Sequence, residues 1–263
     1  MLLSKRSVMK TTVYTTDRQG TGAFDGGKIT EIKPIDFPGG TSEAARIGPL
    51  FYWAWASSSG EGVIGMHPHQ GFEIMSYVLV GEIGHTDTLD TKSRVGAGGA
   101  QVMQTGSGVS HQEEIYGQAT EFFQIWFEPD LTEAIKREPT YSEHHHSDFP
   151  VVDENGVLRK LLIGNDAPVS LVADVQIEDV AINAGMSHEI ELKAGRAIAS
   201  VAIAGSGSWQ TESGEVLLFQ KSDFSVLETS KGASVVISAS TFNELRLMVI
   251  DVPSAVSYDL YGE

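Results

Sequence analysis

Cysteine is absent from all 263 residues of the chain. Its absence excludes disulfide bonds, thiolate metal sites and cysteine nucleophiles together. Any metal ion that the protein binds must therefore be held by nitrogen and oxygen ligands, which means by histidine, carboxylate or carbonyl groups.

Long apolar runs are also missing. No stretch approaches the ~20 consecutive apolar residues that a membrane-spanning helix requires, and the opening MLLSKRSVMK meets charged residues almost at once. We therefore predict no membrane association and a cytoplasmic location.

Positive charge is scarce. Lys and Arg total 18 against 35 Asp and Glu, so the formal net charge is -17. Most of the surface should repel a polyanion, because phosphate backbones are bound chiefly by cationic side chains. We predict no direct binding to nucleic acid.

Short β-type segments dominate what is present. Short runs rich in Val, Ile, Phe and Tyr alternate with turns built from many of the 28 glycines, which is typical of all-β sandwiches and barrels. One helix is predicted, over Leu131–Glu138 before Pro139, followed by a linker at Glu138–Pro150. The predicted strands are Ile74–Val80, Gln101–Gln104, Phe122–Phe127, Ala197–Ile203, Val216–Phe219 and Leu245–Val252.

A weak internal repeat relates the two halves. Shifting the second half by 124 residues places Tyr77–Gly81 over Val201–Gly205, so that a hydrophobic strand and a glycine turn recur in register. We predict two tandem antiparallel β-barrel domains, 1–140 and 141–263.

The first half contains two pairs of possible ligands. Alternate residues of a strand share a face, so His67 and His69 point the same way on either side of Pro68. The same parity pairs His111 with Glu113, after a glycine-rich turn. Three imidazoles and one carboxylate suit Fe(II), Mn(II), Co(II), Ni(II), Cu(II) or Zn(II) and leave free coordination positions on a six-coordinate ion.

Four motifs in this region resemble the N-terminal domain of the pirins, a branch of the cupin superfamily. They lie within a continuous stretch from Met66 to about Pro129. The motifs are HPHQGFE at His67–Glu73, YVLVGEIGHTDT at Tyr77–Thr88, GSGVSHQE at Gly106–Glu113 and FQIWF at Phe123–Phe127.

The resemblance implies a monomeric two-barrel cupin with a mononuclear non-haem iron in the first barrel. It also implies quercetin 2,3-dioxygenase-like activity on a flavonol or catechol-like aromatic substrate with O₂. In that scheme Glu113 takes the substrate's hydroxyl proton. The implied ligands are His67, His69, His111 and Glu113.

Two other functions stay open. Eukaryotic pirins are linked to transcription-factor partners, so a non-catalytic regulator that depends on metal and redox state is the main alternative, although no feature here identifies its protein partner. Sugar isomerisation, known in related cupins, is the third. The Phe122–Phe127 strand could line a pocket for a flat ring or could simply be core.

Some residues are ambiguous or depart from the pirin pattern. Gln70 and Ser107 stand where pirins usually carry arginine, which should weaken the hold on an anionic substrate. Glu73 is expected to support the site rather than bind the metal, although cupins in general use a glutamate there. His85 is expected to form hydrogen bonds within its own hairpin.

The remaining histidines are not expected to form a site. His144, His145 and His146 are consecutive, so they cannot converge as alternating residues do, and they are predicted to be solvated. His188 is predicted to be structural. The residues that the repeat places at the ligand positions predict a second domain without metal; they are Glu191, Lys193, Val235 and Ile237.

Overall fold

The structure is a computed structural model that describes residues 9–164 and 166–262. Residues 1–8 lie outside this range. They make up most of the N-terminal segment MLLSKRSVMK, which was part of the basis for predicting no membrane association. No helix among the described residues is long and apolar enough to cross a membrane.

Strands make up most of the described chain. In this part of the chain a single short α-helix, α1, covers Leu131–Ala134, and 3-10 turns cover Thr16–Arg18, Asp25–Gly27 and His146–Asp148. The strands are β1 (Lys10–Tyr14), β2 (Gly20–Phe24), β3 (Ile29–Ile35), β4 (Leu50–Ser58), β5 (Gly62–His69), β6 (Glu73–Asp87), β7 (Lys92–Gly96), β8 (Ala100–Gln104), β9 (Val109–Phe127), β10 (Thr140–His144), β11 (Val151–Glu154), β12 (Val157–Ile163), β13 (Gln176–Ile182), β14 (Ser187–Leu192), β15 (Arg196–Ala204), β16 (Ser206–Thr211), β17 (Val216–Gln220), β18 (Phe224–Thr229), β19 (Ala233–Ala239) and β20 (Leu245–Pro253).

The chain forms two compact units. Among the described residues, the histidine unit comprises 17–150, 166–174 and 257–262, and the second unit comprises 9–16, 151–164 and 175–256. Compactness is not a test of independent folding, so the predicted domains 1–140 and 141–263 stay a prediction.

The histidine unit is built on one antiparallel sheet in the order β10-β8-β6-β9-β4-β3-β2, with β5 added to β9 and β7 added to β6. Its long central strand β9 alternates buried and partly exposed residues from Val109 to Ile115. This alternation turns His111 and Glu113 inward together, because the side-chain period of a strand is two.

The second unit holds two antiparallel sheets, β1-β18-β15-β20-β13-β12-β11 and β14-β19-β16-β17. Its main hydrophobic cluster includes the fully buried Trp209, Val235 and Ile237. Burial of this apolar surface is the main source of stability for such a unit.

The predicted all-β, antiparallel class is confirmed, and all six predicted strands lie within observed strands. The closed barrel is a correction: the sheet orders are open among the described residues, so the arrangement is jelly-roll-like. A sheet can bury one face against another without closing on itself.

The internal repeat extends through the topology. The 124-residue shift carries β8-β6-β9-β4 onto β18-β15-β20-β13, and it carries the branches β5 and β7 onto β14 and β17. Gly81 and Gly205 are equivalent and both have positive φ, 80° and 78°. A Cβ at Gly81 would lie 2.7 Å from the Ala119 carbonyl oxygen, so glycine is required there.

Two sequence predictions were wrong in extent. The helix begins as predicted, with Asp130 accepting a hydrogen bond from the Thr132 amide at 3.0 Å, but it ends at Ala134. The Arg137 carbonyl instead accepts from the Ser107 amide at 2.8 Å, and Pro139 disfavours helix at the preceding residue. The predicted linker Glu138–Pro150 contains β10, which pairs with β8 as an edge strand.

Candidate metal centre

Two antiparallel strands bring the histidines together. His67 of β5 lies opposite His111 of β9, while Pro68 faces Ser110. Among the described strands β5 pairs only with β9, so a proline that cannot donate a ladder hydrogen bond is tolerated in it. Pro68 is exposed, and the histidines on either side of it turn inward.

The ring nitrogens of His67, His69 and His111 converge on one point. His111 Nε2 lies 3.1 Å from the Nε2 of His67 and 3.1 Å from the Nε2 of His69. All three ligand atoms lie within 4.8 Å of one another. The sequence prediction that these three side chains meet is thus matched by the geometry, whereas their role as ligands stays a prediction.

The arrangement fits a divalent transition-metal ion. Two nitrogens bound at ~2.1 Å in neighbouring coordination positions lie roughly 3 Å apart, close to the observed separations. The Nδ1 of His67 donates to the Gly65 carbonyl at 2.8 Å, which leaves its Nε2 lone pair free to face the other rings. Neutral imidazoles facing each other through lone pairs are the donor set that such an ion needs.

Burial keeps the imidazoles of His69 and His111 neutral. Removal from water, followed by the repulsion of His67, lowers the pKa of His69 to about 4. The pKa of His111 is lowered further by the same two causes, with His69 and His85 adding to the repulsion. At neutral pH neither ring has to lose a proton before it binds a metal ion.

His85 and Asp87 continue the site behind His111. The Nδ1 atoms of His111 and His85 lie 3.3 Å apart, and the Nε2 of His85 lies 2.9 Å from an oxygen of Asp87. If His85 donates through Nε2 to Asp87, its Nδ1 accepts from His111, whose Nε2 then presents a lone pair to the site. The ring of His85 also stacks on Tyr141 at 4.2 Å.

The hydrogen bond of His85 within its own hairpin was predicted, and the bond to Asp87 matches it. Its contact with His111 was missed. The alternation of His85 and Asp87 along β6 was the available signal, because it places both on one face of the sheet, where His111 and Glu113 of β9 stand opposite them. The cross-strand register that sets the contact is not visible in the sequence.

Glu113 lies inside the unit, but its carboxylate is not in the group formed by the three histidines. One oxygen accepts from the Ser76 hydroxyl at 3.4 Å and from the Gln124 amide. Burial, and then the charge of Glu31, raise the pKa of Glu113 to about 7. Its role as a fourth ligand stays a prediction.

Gln124 connects Glu113 to an aromatic cluster. The indole N–H of Trp126 donates to the other end of the Gln124 amide at 2.8 Å, and the Trp126 ring meets His69 edge-on at 4.6 Å between centroids. Trp126 thus contacts both Gln124, the hydrogen-bond partner of Glu113, and His69 of the candidate site. Part of the Phe122–Phe127 strand therefore does line the site, although Phe122 and Phe123 are core.

Glu73 supports a neighbouring segment. Its carboxylate accepts from the backbone amides of Val172 and Ala173 at 2.7 and 2.9 Å, and from the Gln104 amide at 2.5 Å. A carboxylate with these three donors is already satisfied, so the geometry favours the supporting role expected for it.

The two departures from the pirin pattern contact each other. The Gln70 amide donates to the Ser107 carbonyl at 2.9 Å, which ties the end of β5 to the glycine turn. Gly106 and Gly108 have φ of 46° and 128°, so the predicted turn before His111 is confirmed. No cationic side chain stands at either position.

The other histidines lie elsewhere. His144 belongs to β10 and lies 3.2 Å from the Ser142 hydroxyl. His188 lies on β14, and burial lowers its pKa. At the repeat-equivalent ligand positions, Val235 and Ile237 are fully buried in the apolar core of the second unit.

The family model described as Pirin matches residues 53–127. Pirin-1 of Arabidopsis thaliana is 31% identical over 160 residues, 61% of this chain and 52% of the relative. The quercetin 2,3-dioxygenase of Escherichia coli K12 is 40% identical over 75 residues, 27% of this chain and 32% of the relative. The chain thus spans about half or less of the length of these curated relatives.

Solved structures share the fold over nearly the whole chain. The bacterial pirin YhhW of Escherichia coli in complex with nickel(II) has a TM-score of 0.75 at 19% identity, covering 94% of this chain and 100% of that one. A quercetin 2,3-dioxygenase from Acinetobacter baumannii has a TM-score of 0.77 at 18% identity, covering 95% and 89%. At such identities the likeness concerns the fold.

Proposed function

Because residues 53–127 belong to the pirin family, we propose that this protein is a metal-dependent dioxygenase that acts on flavonol or catechol-like aromatics. The observation that carries the proposal is the convergence of three imidazole nitrogens beside an aromatic cluster. The names of the relatives support the reaction class.

Iron is the proposed metal, held by His67, His69 and His111, with Glu113 as the predicted fourth ligand. Manganese, cobalt, nickel, copper and zinc suit the same donors. When bound, such an ion supplies open coordination positions for O₂ and for a substrate hydroxyl. A nickel-bound pirin among the similar structures supports a metal in this fold without selecting one.

Glu113 is the proposed acid–base group. A pKa of about 7 places the carboxyl near the pH at which a group both accepts and returns protons efficiently. Its Oε1 is held by Ser76 and Gln124, and Gln124 is fixed in turn by Trp126. These contacts hold the carboxyl in one orientation, which favours proton transfer with a correctly placed partner.

The test is O₂ consumption by iron-reconstituted protein with quercetin. We expect turnover by the parent and none by the variant His67→Ala with His111→Ala. The matched control is His144→Ala with His146→Ala, which removes two histidines outside the site and should retain full turnover.

Saturable metal binding without turnover on a panel of flavonols and catechols would contradict the dioxygenase. That result would favour a metal-dependent regulator with a protein partner. The monomeric state and the cytoplasmic location stay predictions.

A further inference from the structure

A cavity of about 670 Å³ opens next to His69 and Gln70 within the histidine unit. None of its lining residues is Lys, Arg, Asp or Glu. Its apolar surface is chiefly aromatic and aliphatic, supplied by Phe37, Phe51, Phe72, Leu131, Ile135 and Tyr261. A cavity of this size and composition suits a drug-sized, flat and largely uncharged ligand.

One lining residue, Tyr261, comes from a distant part of the sequence. The backbone amide and the backbone carbonyl of Tyr261 both form hydrogen bonds. Its amide donates to Glu128 Oε1 at 2.5 Å, and its carbonyl accepts from Arg46 at 2.9 Å. Arg46 also donates to the other oxygen of Glu128 at 2.8 Å, and the Tyr258 hydroxyl donates to the Glu128 carbonyl at 2.7 Å.

We call the contacts among Arg46, Glu128, Tyr258 and the Tyr261 backbone the clasp. The Arg46–Glu128 pair at its centre is buried, whereas the Tyr261 ring that the clasp positions is exposed. Glu128 is fully buried and the Arg46 side chain is 12% exposed, so solvent screens their ion pair little. The Tyr261 residue is 60% exposed and meets Phe72 edge-on at 6.2 Å between centroids. Core packing therefore does not account for holding an aromatic ring at this place.

We propose that Tyr261 is a specificity-determining residue that contacts the aromatic substrate, with the 257–262 segment completing the wall of the cavity beside His69. The inference rests on the proposed function, because it takes the ligand to be a substrate of that site. An aromatic ligand would cover the exposed ring of Tyr261 and stack against it or meet its edge. The uncharged lining favours a neutral polyphenol over a carboxylated ring.

Binding is measured apart from turnover. Protein loaded with Zn²⁺ is titrated with quercetin under anaerobic conditions, and calorimetry gives the dissociation constant. Tyr261→Ala should weaken binding about tenfold, because it removes a ring-to-ring contact together with the apolar surface that the ring covers. Tyr261→Phe keeps the ring and should bind as the parent does.

Two further variants separate contact from general destabilisation. Phe242→Ala removes an 88% exposed aromatic residue from the second unit and should leave quercetin binding unchanged. Tyr258→Phe removes one hydrogen bond of the clasp and should weaken binding less than Tyr261→Ala. Zinc content should equal that of the parent in all four variants.

The outcomes distinguish this inference from the proposed function. Parent-like quercetin binding by Tyr261→Ala, loss of zinc from that variant, or absence of binding by the parent overturns the inference. Binding that depends on Tyr261, in a protein whose iron form consumes no O₂, refutes the dioxygenase and leaves the inference standing. With turnover present, Tyr261→Ala should raise KM and leave kcat unchanged.

Discussion

The two units share one strand topology but fill its interior differently. In the histidine unit the inward positions of β6 and β9 carry His85, His111 and Glu113. In the second unit the 124-residue shift places Trp209, Val235 and Ile237 there, all fully buried. The same backbone therefore supports either a polar site or an apolar core, and the side chains alone decide which.

The difference also shows how buried polar side chains affect the stability of the histidine unit. A buried imidazole or carboxyl stabilises less than an apolar side chain of similar volume, unless it is hydrogen-bonded. His85, His111 and Glu113 all have such partners. At the equivalent positions the second unit carries Trp209, Val235 and Ile237, whose buried apolar surface contributes to stability.

The largest expected effect comes from giving the histidine unit the interior of the second unit. The change His111→Val with Glu113→Ile removes a nitrogen that faces two other imidazoles. We expect tight metal binding to be lost, a larger effect than the ~10–100-fold that a lost outer partner costs. Equilibrium dialysis with elemental analysis measures it.

The reciprocal change is the control. Val235→His with Ile237→Glu puts polar groups into the other core and should destabilise the protein without altering the first metal site. Retention of metal at parent affinity by the His111→Val, Glu113→Ile variant would break the comparison between the units.

The next effect concerns the pH dependence of stability in the metal-free protein. The folded-state pKa of Glu113, about 7, exceeds its ordinary value of 4.5, so the folded state binds the extra proton between these values. The free energy of unfolding should therefore fall as pH rises from about 4.5 to 7, by up to ~3 kcal/mol from this group.

The variant Glu113→Gln should abolish this decrease in the free energy of unfolding. Urea unfolding of parent and variant at several pH values tests it, and the difference between the two isolates Glu113. The lowered pKa of His69 and of His111 acts in the opposite direction in both proteins, so it cancels. Identical pH profiles would contradict the assigned pKa.

A smaller effect should follow from breaking the chain behind His111. His85→Ala leaves the Nδ1 of His111 without its partner, and we expect metal affinity to fall ~10–100-fold. Competition with a chelator of known affinity measures the loss. His188→Ala, in the second unit, is the matched control and should not change metal affinity.

Asp87→Asn should reduce metal affinity in the same direction, because it weakens the orientation of His85. Parent affinity in both variants would show that His111 is oriented by its backbone alone.

The smallest effect is expected from the exposed histidine run. Replacing His144, His145 and His146 with Ala should change the free energy of unfolding by no more than ~0.5 kcal/mol. The number of tightly bound metal ions per chain should not change either. Elemental analysis at limiting metal checks this, and loss of the tight site would contradict a centre built on β5 and β9.

The sequence by itself determined the all-β class, the six strands and the inward parity of His67, His69 and His111, because strand period and glycine turns are local properties. It also determined that no thiolate takes part. The apolar residues at the second unit's equivalent positions were likewise readable from the repeat, since duplicated strands keep their register.

Only the tertiary structure decided which polar groups meet. The pairing of His85 with His111, the Gln124 bond to Glu113 and the amides that satisfy Glu73 all depend on cross-strand register or on distant segments. Long-range contacts of this kind leave no periodic trace along the chain. The early end of α1 was equally invisible in the sequence, because helix propensity is a weak local signal and the amides of Lys136 and Arg137 bond three residues back, to Glu133 and Ala134.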